Sequence, residues 1–146
     1  MPPFNDPEEV RRFIASTDEQ TSVYVGCDSR QLKNRTVFVT VVVVHISSKY
    51  GAKVFWKVES TRKITSLRQR LMEEVSRAVY CALTIADAVG SRPFEVHLDI
   101  NPKEETASSV VVREAVGFVL AQGLRPVLKP DAFAASCAAD YITAKC

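Results

Sequence analysis

Ser22-Val23-Tyr24-Val25-Gly26-Cys27-Asp28 is a run of β-branched and aromatic residues closed by a glycine, a cysteine and an acid. Branched and aromatic side chains fit a pleated, half-buried surface and lose χ1 freedom in a helix, so the run reads as a buried strand. Asp28 stands at its C-terminal end, and the polar segment Ser29 to Arg35 is expected to turn. Late in the chain Phe94-Glu95-Val96-His97-Leu98-Asp99-Ile100 repeats the pattern, an apolar strand leading to an acid. Between the two, Thr36 to Ile46 is valine-rich and strand-like, and Ser47 to Gly51 turns the chain. Ala52 to Glu59 then alternates, with Val54, Trp56 and Val58 on one side and Lys53, Phe55 and Lys57 on the other. Links this short make the first three strands an antiparallel meander.

A long helix separates the meander from the strand at Phe94. Thr65 or Ser66 can cap it, Leu67, Leu71, Val75, Ala78, Val79, Ala82 and Ile85 recur at helical spacing, and Gly90 ends it. After the turn Asn101-Pro102-Lys103 the pattern predicts a helix over Thr106 to Ala121, a short strand over Arg125 to Lys129, and an alanine-rich helix over Ala132 to Ala144. Upstream, Asp6-Pro7-Glu8-Glu9 opens a short helix ending near Ala15, with Asp as cap and proline and acids in the first turn. The reading is one α/β domain over residues 1–146, with 1–21 as a helical extension. Its core is a five-stranded mixed sheet, element order βββαβαβα, with helices on both faces.

A length of 146 residues and 47% hydrophobic content suit one such domain. Lys and Arg total 19 against 17 Asp and Glu, so the net charge of +2 gives no global pull toward polyanions or membranes. An anionic substrate would need a local patch or a bound cation. Cys27, Cys81, Cys137 and Cys146 are scattered without the close pairs of a zinc site, and they read as reduced thiols of a cytoplasmic protein. The N-terminus lacks the features of a secretory signal, so Asn34-Arg35-Thr36 is a chance sequon, and Val37 to Val44 is too short to span a bilayer. An open edge on the second strand leaves a homodimer compatible with the pattern.

In a sheet of this kind ligands collect beyond the carboxyl ends of the strands. If the first and fourth strands are parallel neighbours, Asp28 and Asp99 share one space, and two carboxylates so close repel unless a cation lies between them. Mg²⁺ or Mn²⁺ suits, because such ions favour oxygen ligands and keep several waters. Each Asp taken alone is also an ordinary turn residue.

Four segments together, Val23-Tyr24-Val25-Gly26-Cys27-Asp28-Ser29-Arg30, Arg70-Leu71-Met72-Glu73-Glu74-Val75, Glu95-Val96-His97-Leu98-Asp99-Ile100 and Lys129-Pro130-Asp131-Ala132-Phe133-Ala134-Ala135-Ser136 with Ala139-Asp140, resemble the bacterial YkuK family of ribonuclease H-like proteins. The resemblance implies the ribonuclease H-like fold. It also implies a metal-dependent nuclease that cuts RNA, RNA-DNA hybrid or DNA with two divalent ions held by four acids. Those acids come from the first strand, the first long helix, the fourth strand and the final helix. Asp28 and Asp99 match the strand positions.

On the long helix Glu73 and Glu74 compete. Residues three, four and seven positions away share a face. Glu73 neighbours Ser66, Gln69, Arg70, Ser76, Arg77 and Tyr80, a solvated face with an Arg77 ion pair, whereas Glu74 neighbours Leu67, Leu71, Ala78 and Cys81. An acid at the margin of the core needs a compensating partner, which favours Glu74 as the ligand. On the final helix Asp131 and Asp140 lie nine residues apart, on opposite faces. Asp140 sits with Phe133, Ser136 and Cys137, and its setting Ala139-Asp140-Tyr141-Ile142 resembles the superfamily's final acid, so the resemblance implies Asp140 as the fourth acid, while Asp131 is either the helix cap or a reserve ligand.

Arg30, Lys33 and Arg35, then Arg62, Lys63, Arg68 and Arg70, with Lys103, could hold nucleic-acid phosphates if they surround the acids, and otherwise form a solvated surface. His97, on the side of its strand that Asp99 occupies, and His45 read as packed strand residues. A non-catalytic nucleic-acid-binding or interaction module on the same fold is the competing reading, because folds do not fix function.

Overall fold

The computed structural model describes residues 4, 6–47, 49–103 and 109–134. Helix α1 (Pro7–Ala15) is capped by Asp6, whose side chain accepts from the N–H of Glu8. The meander follows as β1 (Ser22–Gln31), β2 (Arg35–Ser47) and β3 (Gly51–Arg62). Helix α2 (Leu67–Val89) is capped by Ser66, which accepts from the N–H of Gln69, and it ends at Gly90 with φ 59°. Strand β4 (Phe94–His97), helix α3 (Ser109–Ala121) and strand β5 (Pro126–Val127) complete the described elements. The sheet order is β3-β2-β1-β4-β5, with β1 antiparallel to β2, β2 antiparallel to β3, and β4 parallel to both β1 and β5.

The first and fourth strands are therefore the parallel neighbours that the acids require. Strand β3 runs on to Arg62 and β5 shortens to Pro126–Val127, and two further differences in boundary bear on the acids. Strand β1 does not turn at Ser29 but continues to Gln31, so the turn shrinks to residues 32–34 and Asp28 lies inside the strand, opposite Val39. The long valine partner strand supplies hydrogen bonds along that whole length, and this overrides the turn preference of Ser29 to Gln31. Strand β4 stops at His97, leaving Asp99 just beyond it. The helix expected over Ala132 to Ala144 is described only at its start, and the rest, with Asp140, lies outside the described residues.

Register fixes what each sheet face carries. Val25, Val42 and Phe55 stand abreast on three strands and enter one core with Val75, Val79, Ala82 and Ile85 of α2, Val10 and Ile14 of α1, and Ala115 and Val119 of α3. Phe55, on the side of β3 shared with Lys53 and Lys57, is fully buried in this core. Val37, Val39 and Val41 form a second cluster on the opposite face with Leu32, Val54 and Trp56, which explains why β2 reads as continuously apolar rather than alternating. Phe4 is buried, and its N–H reaches the carbonyl of Trp56 at 2.9 Å on the edge strand β3. Among the described residues no helix is long and apolar enough to cross a membrane.

Candidate metal and phosphodiester site

The site forms where β1 outruns β4. Pairing between them ends at Gly26 opposite His97, and beyond that point Leu98 turns to Val127 and Lys129 to Ile100 on the β5 side. The chains part, and a crevice opens at the carboxyl end of β4. Asp28 lies on β1 beyond the last pair with β4, on the sheet face of Val39, and Asp99 follows two residues after His97. Glu74 arrives from the other face on α2, where Ser29 donates a hydrogen bond to its Oε1 at 3.2 Å.

Glu74 Oε2 is sealed from solvent without a hydrogen-bond partner. Burial first, and then the charge of Asp28, raises the carboxyl from its ordinary value of 4.5 to about 8, with Asp99 adding to the effect and Ser29 and Arg70 opposing it. Glu74 thus lies close enough to Asp28 and Asp99 to feel the charge of both. Glu74 and Asp99 also line one small cavity of about 10 Å³, closed by Cys27, Leu71, Val75, Ala78, His97, Leu98 and Ile100. That is room for about one water-sized sphere. A larger hollow of about 430 Å³ between α1, α2 and the β2–β3 sheet lies away from this crevice and shares none of its acids.

Asp99 has a partner that the sequence reading did not name. Lys129 Nζ lies 2.5 Å from Asp99 Oδ1, an ion pair that stands in place of a directed hydrogen bond at that oxygen. Only its position in the quoted segment beginning at Lys129 pointed toward it. Glu73, by contrast, pairs with Arg77 at 3.1 Å as its helical face required, and Arg77 also reaches Glu59 at 3.0 Å.

His97 is a packed strand residue, 1% exposed, with Tyr24 and Phe133 against its ring. Its Nδ1 accepts from the N–H groups of Phe133 and Ala134 at 3.1 and 3.2 Å. Those groups can only donate, so the ring proton is on Nε2, where it reaches Glu95 Oε1 at 3.1 Å. His97, rather than the exposed Asp131, receives the first N–H groups of the final segment.

The basic residues divide. Arg30, Arg35 and Arg62 lie on the sheet face that carries Asp28, and Arg35 stands directly opposite Arg62. Lys63 Nζ approaches the carbonyl of Lys33 at 3.4 Å at the same end of the sheet. Arg68 instead clamps α2 to α3 through Glu114, at 2.5 and 2.7 Å. Arg70 is half-buried one turn before Glu74, and Lys103 is exposed in the turn after Asp99.

Among the described residues no three His, Cys, Asp or Glu side chains form a ready metal cluster. The donor set nonetheless fits a hard divalent ion: an orphaned buried carboxylate oxygen, a second acid across a cation-sized void, and a third charge nearby. Mg²⁺ needs few protein ligands because it retains waters.

An α/β sheet of this order with acids at the carboxyl end of its central parallel pair is the ribonuclease H-like arrangement. A family model described as Ribonuclease H-like matches residues 7–144, and the chain belongs to that family. It is similar to the "Uncharacterized protein YkuK" of Bacillus subtilis (strain 168), 26% identical over 157 aligned positions that cover 96% of this chain and 90% of that protein. The resemblance drawn from the four segments is thereby borne out. No solved structure gives a significant match.

Proposed function

We propose that the chain is a metal-dependent nuclease that hydrolyses phosphodiester bonds of RNA, RNA-DNA hybrid or DNA in the cytoplasm. The observation that carries this reading is Glu74 Oε2, buried without a donor beside Asp99 and within the field of Asp28. A buried carboxylate in its neighbours' field is unfavourable unless a proton or a cation neutralises it, and a cation would answer Asp28 and Asp99 as well. Asp28, Glu74 and Asp99 would hold Mg²⁺ or Mn²⁺, with Asp140 as the fourth acid and Asp131 in reserve. Two ions, when bound, supply Lewis acidity at the scissile phosphate and bring a water within range of ionisation.

The chain's own residues do the rest. Ser29 fixes the rotamer of Glu74 through Oε1 and so leaves Oε2 aimed at the cavity. His97 ties the end of β4 to residues 133 and 134, holding the start of the final segment at a set distance from Asp99. Arg30, Arg35 and Arg62, on the face of Asp28, neutralise phosphates flanking the scissile one, with Lys33 and Lys63 at the same end, Arg70 near Glu74 and Lys103 beyond Asp99. Free buried thiols at Cys27 and Cys81 accord with a reducing compartment.

The test is cleavage of RNA-DNA hybrid, single-stranded RNA and branched DNA with and without Mn²⁺ or Mg²⁺. Asp99→Asn is expected to keep its fold by circular dichroism. Its rate should fall by at least the roughly 10- to 100-fold that losing even an outer metal partner brings. Cleavage at the parent rate by Asp99→Asn would refute the site. One observation favours the binding module instead: Lys129 already neutralises Asp99. That reading predicts nucleic-acid binding unchanged by chelator and no metal-dependent cleavage of any of the substrates.

A further inference from the structure

The ion pair between Lys129 and Asp99 sits on an acid that the proposed nuclease reading, on which this inference rests, assigns to the metal. Lys129 Nζ lies 2.5 Å from Asp99 Oδ1, while the neighbouring Glu74 Oε2 has no partner. One ammonium thus pairs with Asp99 beside the carboxyl of Glu74, which feels the charges of both Asp28 and Asp99. A divalent ion seated between Glu74 and Asp99 would answer both acids, but it would also repel the ammonium. Like charges in contact at a partly desolvated site repel strongly because little water screens them. The two cations compete for Asp99.

The backbone is arranged so that only the side chain need move. Lys129 N–H is bonded to the carbonyl of Ile100 at 3.0 Å, and Ala132 N–H to that of Leu128 at 2.9 Å, which anchors the segment beside β4 independently of the ammonium. Lys129 is 37% exposed against 20% for Asp99, and it borders an open groove of about 480 Å³ lined by Glu95, Arg125, Leu128 and Asp131 among others. A flexible four-carbon stem carrying a compact charge can swing into such a groove. Once displaced beside a divalent ion, the ammonium needs an anion outside the acid cluster. Glu95 and Asp131 of that groove can receive it in the free protein, and in a nucleic-acid complex a phosphate oxygen next to the cleavage point competes for it.

We propose that Lys129 is the counter-ion of Asp99 in the metal-free protein and that metal binding releases its ammonium to a phosphate of the bound nucleic acid. Lys129 is then a placeholder and a phosphate ligand in turn.

The full chain carrying Lys129→Gln or Lys129→Arg tests this with Mn²⁺ titration calorimetry, in the absence of nucleic acid. Removing the competing charge is expected to tighten Mn²⁺ binding by about 3- to 10-fold, at most about 1.4 kcal/mol. Lys129→Arg, which keeps the charge, should stay near the parent, and thermal melts establish that both fold. With Ca²⁺ replacing Mn²⁺, Lys129→Gln should bind a short RNA-DNA hybrid more weakly, with the salt slope of log affinity shallower by about 1. Mn²⁺ affinity that is unchanged or weaker in Lys129→Gln overturns the counter-ion role. Hybrid affinity and salt slope equal to the parent's overturn the phosphate role. A parent that binds no Mn²⁺ overturns the nuclease reading together with this inference, whereas a parent that binds Mn²⁺ equally with and without the Lys129 charge overturns the inference alone.

Discussion

Glu74 shows how a single residue's surroundings determine its role. Adjacent in sequence to Glu73, it differs by one helical step, and that step turns it from an Arg77 ion pair to the margin of the core. Its carboxyl is held near 8, above the ordinary 4.5, so between those values the native state binds more protons than the unfolded chain. The metal-free protein is therefore expected to lose stability as pH rises from about 4.5 toward about 8. Glu74→Gln should melt with a flatter pH dependence and higher than the parent at the alkaline end of that window. Thermal melts in chelator at both ends check this; a variant with the parent's full slope would mean that Glu74 is not the strained group. The different surroundings of Glu74 and Glu73 were legible because helical spacing alone separates a solvated face from a core margin. Lys129 was not legible, because no periodicity in sequence tells which lysine folds back onto which acid.

At the scale of elements, helices were easier to read than strand ends. Asp6, Ser66 and Gly90 mark α1 and α2 where the structure has them, since caps act through contacts within a few residues. The end of β1 depends instead on a partner strand elsewhere in the chain, so the polar residues Ser29 to Gln31 look like a turn while β2 keeps them extended. The same distance effect hid the work of His97, whose hydrogen-bond partners lie 36 and 37 residues away. Replacing it with Phe keeps an aromatic ring but leaves the N–H groups of Phe133 and Ala134 without their acceptor. His97→Phe is expected to lose about 1–3 kcal/mol by denaturant unfolding. A stability equal to the parent's would show that those N–H groups find another acceptor.

For the whole molecule, a formal charge of +2 conceals an uneven distribution. Arg35 and Arg62 face each other directly across β2 and β3, where like charges are mildly unfavourable, on the face shared with Arg30 and Asp28. Nucleic acid bound along that face should show affinity that falls steeply with salt. Replacing both Arg35 and Arg62 with Ser is expected to make the slope of log affinity against log salt shallower by about 1.4–1.8, because each phosphate contact contributes about 0.7–0.9. Fluorescence anisotropy across a salt series measures it, and an unchanged slope would place the phosphates elsewhere. The same substitutions should leave the fold intact.

The parting of β1 from β4 after Gly26 has an evolutionary consequence. The crevice is made by main-chain pairing that ends, not by the acids that line it. Exchanging Asp28, Glu74 or Asp99 breaks no hydrogen bond of the sheet ladder. If these acids carry the proposed cleavage, a lineage on this backbone can lose it by point substitution while keeping its architecture, and can regain it by the same route. Active enzymes and silent binders built on one backbone would then be separated by a few side chains at one opening in the sheet.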